Sequence, residues 1–409
     1  MTSPSNTPQP TEPLDEFTAV WQIESLRRER RFEEVAAAIT EAAKRFPASA
    51  GVLMQRAWLH YDLEQVNEAA EAFDEVLKID PVHEAAWEGK LAALRLALRF
   101  QDAEKEIKAA LQKLPKSALI LAQRALLHYD QKQYSNAVEA FDRALAIDPD
   151  NDFAWEWKLI SLRLAEQFED AEKEMAKALE RFPGNIKIRV QRGLLHYDQK
   201  QYAEAVKALS DALEIDPNNE SAWEWKLISL RFGKQFEDAE REMAKALEKF
   251  PGNVKLLNQR GLLHHDQKQY AEAVKAFTDA LRSDPDNEFA WEWKLIALRF
   301  DKQFEDAEKE MSKAFEKFPN NAKILFQRAM LHQEQKQYRE AAKALSEALE
   351  IDPNNESAWE WKLISLRFDK QFEEAEKEVA KALEKFPRND KILFQQGLLL
   401  YTAFVLDEA

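Results

Sequence analysis

The sequence predicts an all-α protein built as a tandem array of short helix hairpins. Three observations carry this. Eleven prolines (Pro47, Pro81, Pro115, Pro149, Pro183, Pro217, Pro251, Pro285, Pro319, Pro353 and Pro387) follow one another at 34-residue intervals. Proline inside a helix removes a hydrogen bond and collides with the preceding turn, so each one marks a helix end. Between prolines the apolar residues keep helical spacing: in Glu220–Asn253, Trp223, Leu227 and Leu230 form one stripe, and Phe236, Ala239, Met243 and Leu247 another. The phrase SAWEWKLISLRF at Ser221–Phe232 returns at 68-residue spacing, with Trp155, Trp223, Trp291 and Trp359 in register and a weaker copy at Trp87.

The elements follow in order. Residues 1–15 hold four of the 15 prolines and lack a basic start or an apolar run; they read as a disordered tail rather than a secretory signal. Residues 16–389 divide into eleven units of two amphipathic helices, with a tight turn near Gly233–Gln235 inside the unit that begins at Glu220. Asn218–Asn219, Asp286–Asn287 and Asn354–Asn355 follow prolines and suit the caps of the next helix. Residues 390–409 make a partial twelfth unit ending in the apolar LLLYTAFVL. Repeat arrays usually finish with a polar cap, so this end is expected to be covered by self-association, by a partner or by further sequence. No run of 18 apolar residues occurs, and no membrane-spanning helix is expected.

Composition narrows the function. At 409 residues a single core would be unusual. With 8 glycines, 45% hydrophobic and 32% charged residues, the chain suits a helix-rich soluble protein. A formal net charge of −16 repels phosphate backbones, so nucleic acid is not expected as the main ligand. With no cysteine there are no disulfides or thiolate metal sites, and a reducing cytoplasm is the expected location.

These residues resemble the tetratricopeptide repeat family, with its W-x2-L-G-x2-Y, A-x3-F and P signature. The sixth unit, Ile186–Asn219, supplies Gly193, His196 in place of the family tyrosine, Tyr202, Ala205, Leu209, Ala212 and Pro217. The seventh supplies Trp223, Leu230, Phe236, Ala239, Met243, Ala246 and Pro251. Position eight, small in the family, is Gly or Ala in even units (Ala57, Ala125, Gly193, Gly261, Ala329) but Leu in odd units from the third onward (Leu91, Leu159, Leu227, Leu295, Leu363). The working unit is therefore a four-helix, 68-residue pair, and odd hairpins are expected to hold their helices differently from even ones. The resemblance implies a right-handed superhelical solenoid whose first helices line an inner groove.

It also implies that positions 2, 5, 6, 9, 12 and 13 of each unit face that groove, and these positions form one helical stripe. The candidate binding residues there are Trp157, Arg163, Trp225, Arg231, Phe232, Trp293, Arg299, Phe300, Trp361 and Arg367. Trp and Arg combine large contact area with a polar handle and dominate binding hot spots. Two readings stand for them: they grip apolar or acidic side chains of a partner segment, or the tryptophans pack between adjacent helices and the arginines pair with neighbouring glutamates. Trp155, Trp223, Trp291 and Trp359 fall at the family's core position and are expected to be structural.

Other features carry less. His60, His128, His196, His264 and His332 recur every 68 residues, too far apart to share a metal at bond lengths of about 2 Å, and are expected to pack. Acidic runs such as the one at Phe168 are expected to form a solvated outer face. No phosphate loop, metal signature or nucleophile motif occurs, so no enzyme activity and no cofactor are expected. The family's basic clamp for a terminal carboxylate wants Lys and Asn where this chain has Glu156 and Ile160, or Val190 and Leu194. The expected function is a scaffold or adaptor that binds a protein or peptide segment. The alternative, by family analogy, is the target-sensing subunit of a larger effector complex, such as a bacterial defence system with an ATPase, protease or nuclease partner.

Overall fold

The computed structural model describes residues 15–407, with side chains through Tyr401. Its regular structure is helical throughout, and the chain forms two compact units, divided between Asp216 and Pro217. The first holds α1 (Glu16–Arg28), α2 (Phe32–Arg45), α3 (Ala50–Asp62), α4 (Val66–Ile79), α5 (Glu84–Leu96) and α6 (Phe100–Lys113). It continues with α7 (Ala118–Asp130), α8 (Tyr134–Ile147), α9 (Asp152–Leu164), α10 (Phe168–Arg181), α11 (Ile186–Asp198) and α12 (Tyr202–Ile215). The second holds α13 (Glu220–Phe232), α14 (Phe236–Lys249), α15 (Val254–Asp266), α16 (Tyr270–Ser283), α17 (Glu288–Phe300) and α18 (Phe304–Lys317). It ends with α19 (Ala322–Glu334), α20 (Tyr338–Ile351), α21 (Glu356–Phe368), α22 (Phe372–Lys385) and α23 (Asp390–Asp407). The expected tail at 1–15 lies outside the described residues apart from Asp15, which caps α1. Among the described residues no helix is long and apolar enough to cross a membrane.

The helix ends follow from local chemistry. Asn219, Asn253, Asn287 and Asn355 each accept a hydrogen bond from the amide three residues on, at 2.8 to 3.1 Å, the arrangement that satisfies an otherwise orphaned helix-start donor. The prolines fix the other end: α14 stops at Lys249, and Phe250 then turns the chain into Pro251. Each core-position tryptophan ties into the same loop. The indole N–H of Trp155, Trp223, Trp291 and Trp359 donates at 3.0 Å to the carbonyl of the proline six residues earlier. This bond explains why each core tryptophan stands six residues after a proline.

The turn between paired helices contains a surprise. Gly233 has helical backbone, and it is Lys234 that adopts the left-handed conformation at φ 56°. The Gln235 amide then reaches back to the Leu230 carbonyl at 2.9 Å, closing the helix end. The left-handed site is filled by a non-glycine residue in all eleven hairpins, from Arg30 to Lys370.

Packing inside each unit separates even from odd hairpins, as position eight suggests. The paired helices α3–α4, α7–α8 and α11–α12, and likewise α15–α16 and α19–α20, lie close along their length. In α5–α6, α9–α10, α13–α14, α17–α18 and α21–α22 the contact is looser. Gly193 shows the cause, since a Cβ there would sit 2.4 Å from Leu209 Cγ. In odd hairpins Leu159, Leu227 and Leu295 are buried at that position and hold the second helix away. Even second helices instead pack closely on the next first helix, as α4 does on α5 and α16 on α17. Fully buried Phe73, Phe141 and Phe277 centre these three-helix cores.

First helices also touch the next first helices, α5 with α7 and α9 with α11 in one unit, α13 with α15 and α17 with α19 in the other. Within each compact unit the second helices pack between consecutive first helices, as α6 does between α5 and α7 and α14 between α13 and α15. The first-helix layer is therefore the crowded, inner side of each unit. The last helix departs from expectation. Its 18 residues run without a turn to Asp407, where other first helices stop after 13. The sequence explains this, because Ala403–Val405 replaces the Gln-Lys-Gln turn at Gln199–Gln201.

Candidate functional site

The first-helix face brings the candidate residues together in two sets, one in each unit. The four tryptophans are half-buried. The Trp157 ring meets Tyr129 of α7 edge-on at 4.9 Å and Phe153 at 6.0 Å. Trp293 meets His265 of α15 at 5.1 Å and Phe289 at 6.0 Å. Trp361 packs against the cluster around Leu345 and Trp359. Edge-to-face contacts of this kind add about 0.5–1.5 kcal/mol beyond simple burial, so these rings are structural on one side.

The arginines form a ladder. Arg163 donates from Nη1 to Asp198 at 2.6 Å, Arg231 to Asp266 at 2.8 Å, and Arg299 to Glu334. Arg27 with Asp62 and Arg95 with Asp130 continue the series at 2.9 and 2.7 Å. The partner is always the last residue of the next first helix, an aspartate in four of these five pairs. The positive charge of Arg163, Arg231 and Arg299 is thus matched within the chain. Each of Arg231, Arg299 and Arg367 also lays its guanidinium over the following phenylalanine, 4.6 to 4.9 Å from the ring centre.

Those phenylalanines remain open. Phe232, Phe300 and Phe368 are 46%, 46% and 49% exposed. Tyr270 stacks on Phe300 at 5.4 Å and Tyr338 on Phe368 at 5.1 Å, which fixes the rings in place. The glutamates at position five form a third ladder with lysines at the rim. Glu156, Glu224, Glu292 and Glu360 pair with Lys187, Lys255, Lys323 and Lys391 at 3.2 to 3.7 Å. Burial pushes the Glu292 carboxyl above its ordinary range, with Lys323 opposing. Burial likewise lowers the His265 imidazole, against the pull of Asp266, so the ring beside Trp293 is neutral at pH 7. The charges of Arg163, Arg231 and Arg299, and of the four position-five glutamates, are thus paired within the chain.

Several contributors escaped the sequence reading. Lys158, Lys294 and Lys362, three residues after the core tryptophans, are buried, and Lys226 is nearly so. Lys158 lies 5.2 Å from the Trp155 ring and bridges Asp142 at 2.6 Å and Glu174 at 2.5 Å. The acidic runs are therefore not wholly solvated as expected: Glu242 and Glu378 are buried as partners of Lys226 and Lys362. The recurrence of lysine inside each tryptophan phrase was the available signal. The histidine series is half-buried at the turns, where His60, His128, His196, His264 and His332 hydrogen-bond through Nδ1 to the glutamine five residues on, at 2.6 to 2.9 Å. Among the described residues no group of three His, Asp or Glu side chains is arranged to hold a metal ion.

Comparison with known proteins fits this architecture. Tetratricopeptide repeat profiles match residues 22–84, 118–151, 162–226, 228–288 and 301–363. Human mitochondrial import receptor subunit TOM70 is 29% identical over 142 residues, 33% of this chain and 23% of that protein. The chain thus matches less than a quarter of that relative's length. The crystal structure of yeast Tom70 is 15% identical, with 96% of both chains covered and a TM-score of 0.51. That of a tetratricopeptide repeat protein from Parabacteroides merdae is 17% identical, covering 61% of this chain and 98% of that one at a TM-score of 0.47. With matches spread over well more than half its length, the chain belongs to the tetratricopeptide repeat family.

Proposed function

We propose that this protein is a non-catalytic scaffold that holds a segment of a protein partner along the first-helix face. The supporting observation is the set of half-exposed rings Phe232, Phe300 and Phe368, each backed by an arginine whose charge is already used or stacked. Such rings offer apolar area at little cost in side-chain entropy, because the stacking partners hold them in place before binding. The paired ladders of Arg with Asp or Glu, and of Glu with Lys, leave the face without a dominant charge, so the partner segment contacts it chiefly through apolar side chains. The exposed edges of Trp225, Trp293 and Trp361 border the same face. A reducing cytoplasm suits a chain without cysteine.

The test compares wild type with F232A/F300A/F368A in affinity capture from a native lysate. A second variant altered on the outer face, E237A/E305A/E373A, serves as control. A specific band retained by the control and lost with the phenylalanine variant, at unchanged helicity and melting temperature, is the expected result. Identical capture by all three proteins would remove the first-helix face as the binding surface.

A further inference from the structure

Within each compact unit, even first helices α7, α15 and α19 carry a ring or amide at position 12 that faces the next odd hairpin: Tyr129, His265 and Gln333. Tyr129 covers Trp157 there at 4.9 Å, and His265 covers Trp293 at 5.1 Å. The same 68-residue register places Tyr401 on α23 and Trp21 on α1. Among the described residues neither has its counterpart. Tyr401 is 69% exposed, and Trp21 is 61% exposed where Trp157 is half-buried.

The neighbours of both residues repeat the pattern. Phe17 on α1 is 80% exposed, whereas Phe153 and Phe289 at the equivalent position are 41% and 40% exposed. Phe394 on α23 is 64% exposed, whereas its equivalent Phe326 is half-buried against the cluster that also holds Trp361. The two surfaces are the two halves of one joint that the chain already builds internally. The phase also fits, because α23 opens an even hairpin and α1 opens an odd one, the order found at every internal joint of this kind.

We infer that copies of this chain stack end to end, with α23 of one copy packed on α1 of another and Tyr401 lying against Trp21 as Tyr129 lies against Trp157. The occupant of each surface is a second copy, because the internal joints specify its shape residue by residue. The contact is heterologous: each copy offers a different surface at each end, so growth does not stop at two copies unless a ring closes. At internal joints an even second helix also packs on the next first helix. In the stack the two first helices meet without that helix, so the association is weaker than an internal joint and rises with concentration. This inference is independent of the face proposed to bind a partner.

Sedimentation of wild type, W21A and Y401A across a concentration series tests it. Wild type is expected to grow in average mass with concentration. Each variant alone is expected to remain single, since every contact needs one of the altered residues. An equimolar mixture is the decisive arm: W21A keeps an intact Tyr401 and Y401A an intact Trp21, so the mixture is expected to form pairs of one W21A and one Y401A chain and nothing larger. Circular dichroism checks that both variants keep wild-type helicity, as exposed positions should. A wild type that stays single at every concentration overturns the proposal, as does association that persists in either variant alone.

Discussion

Arg231 on α13 reaches across to the end of α15 and donates to Asp266 at 2.8 Å, with its own side chain only 13% exposed. The same reach from one first helix to the next recurs at Arg27, Arg95, Arg163 and Arg299, so one ion pair per 68 residues fixes the spacing of the inner layer. D266A leaves a mostly buried guanidinium without its acceptor and is expected to cost about 1–3 kcal/mol. By contrast K255A removes a rim partner of Glu224 that is 74% exposed, and should fall within about 0.5 kcal/mol of wild type. Urea denaturation of the two variants, with R231A/D266A to read the coupling, separates them.

Gly193 and Gly184 predict opposite results from one substitution. A methyl at Gly193 would lie 2.4 Å from Leu209 Cγ, in the tight pair α11–α12, and nothing lies within 4 Å of one at Gly184. G193A is expected to destabilise by about 1–3 kcal/mol through overpacking. G184A, whose backbone is not left-handed, should be neutral or slightly stabilising. Melting temperatures of the two proteins suffice to check this.

The left-handed lysines are a reserve of stability. A side chain in that conformation costs roughly 1–2 kcal/mol, which glycine avoids, less the entropy that glycine loses on folding. K234G is expected to gain about 0.5–1 kcal/mol, and K200G and K268G similar amounts. Chemical denaturation that shows a loss at all three sites would mean the lysine side chains stabilise the turns in another way.

Acid sensitivity has a definite sign. Burial pushes the Glu378 carboxyl up, but hydrogen bonds from Lys362 and Lys381 more than offset it and hold its pKa below the ordinary value. Glu174, Glu242 and Glu310 behave alike. A depressed folded-state pKa gives stability that is complete above the unfolded value of about 4.3 and is lost as pH falls through the folded value. E378Q is expected to lower stability at pH 7 by about 1–3 kcal/mol, by depriving buried Lys362 of its counter-charge, and to flatten the acid limb. Thermal melts from pH 7 to 3 measure both effects.

Glu88 should do the reverse. Burial raises its pKa, Glu84 adds repulsion and a hydrogen bond with Gln123 opposes them. The rim lysine found beside Glu156 or Glu224 is replaced here by Leu119, which offers no charge to offset burial. The cost of folding the charged form is absent below the unfolded pKa and complete above the raised one. E88Q should therefore stabilise by about 0.5–1 kcal/mol at pH 7 and match wild type near pH 3. Equal effects at both pH values would show that the amide, not the charge, is responsible.

Helix positions were legible because proline and the apolar stripe each repeat with one meaning, and the caps at Asn219 and Asn287 follow from residue type alone. Position eight also told even hairpins from odd. The left-handed site was not legible: Gly233 draws attention by composition, while the backbone strain falls on Lys234. Nor did charge reveal that Lys362 and Glu378 are removed from water, since a repeated Lys or Glu at helical spacing reads the same on a wet or a covered flank. For the binding face, the stripe showed which residues share a side. It could not rank them, because the exposure of Phe300 and the covering of Trp293 depend on rings contributed by α15 and α16.

One joint carries its bulk differently from the rest. Where other odd first helices have tryptophan at position six, α5 has Gly89, and a Cβ there would meet the Phe73 ring at 2.3 Å. Trp58 of α3 packs on the same ring at 4.9 Å and is in turn met by Tyr61 at 5.4 Å. Equivalent positions to Trp58 hold Leu126, Leu194, Leu262 and Met330. Cutting and rejoining the chain between Trp58 and Gly89 would thus set tryptophan against tryptophan in one recombinant and leucine against glycine in the other, a collision and a void. Pieces of this protein can be traded only when the cut spares that joint, which makes the exchangeable block straddle two hairpins rather than coincide with one.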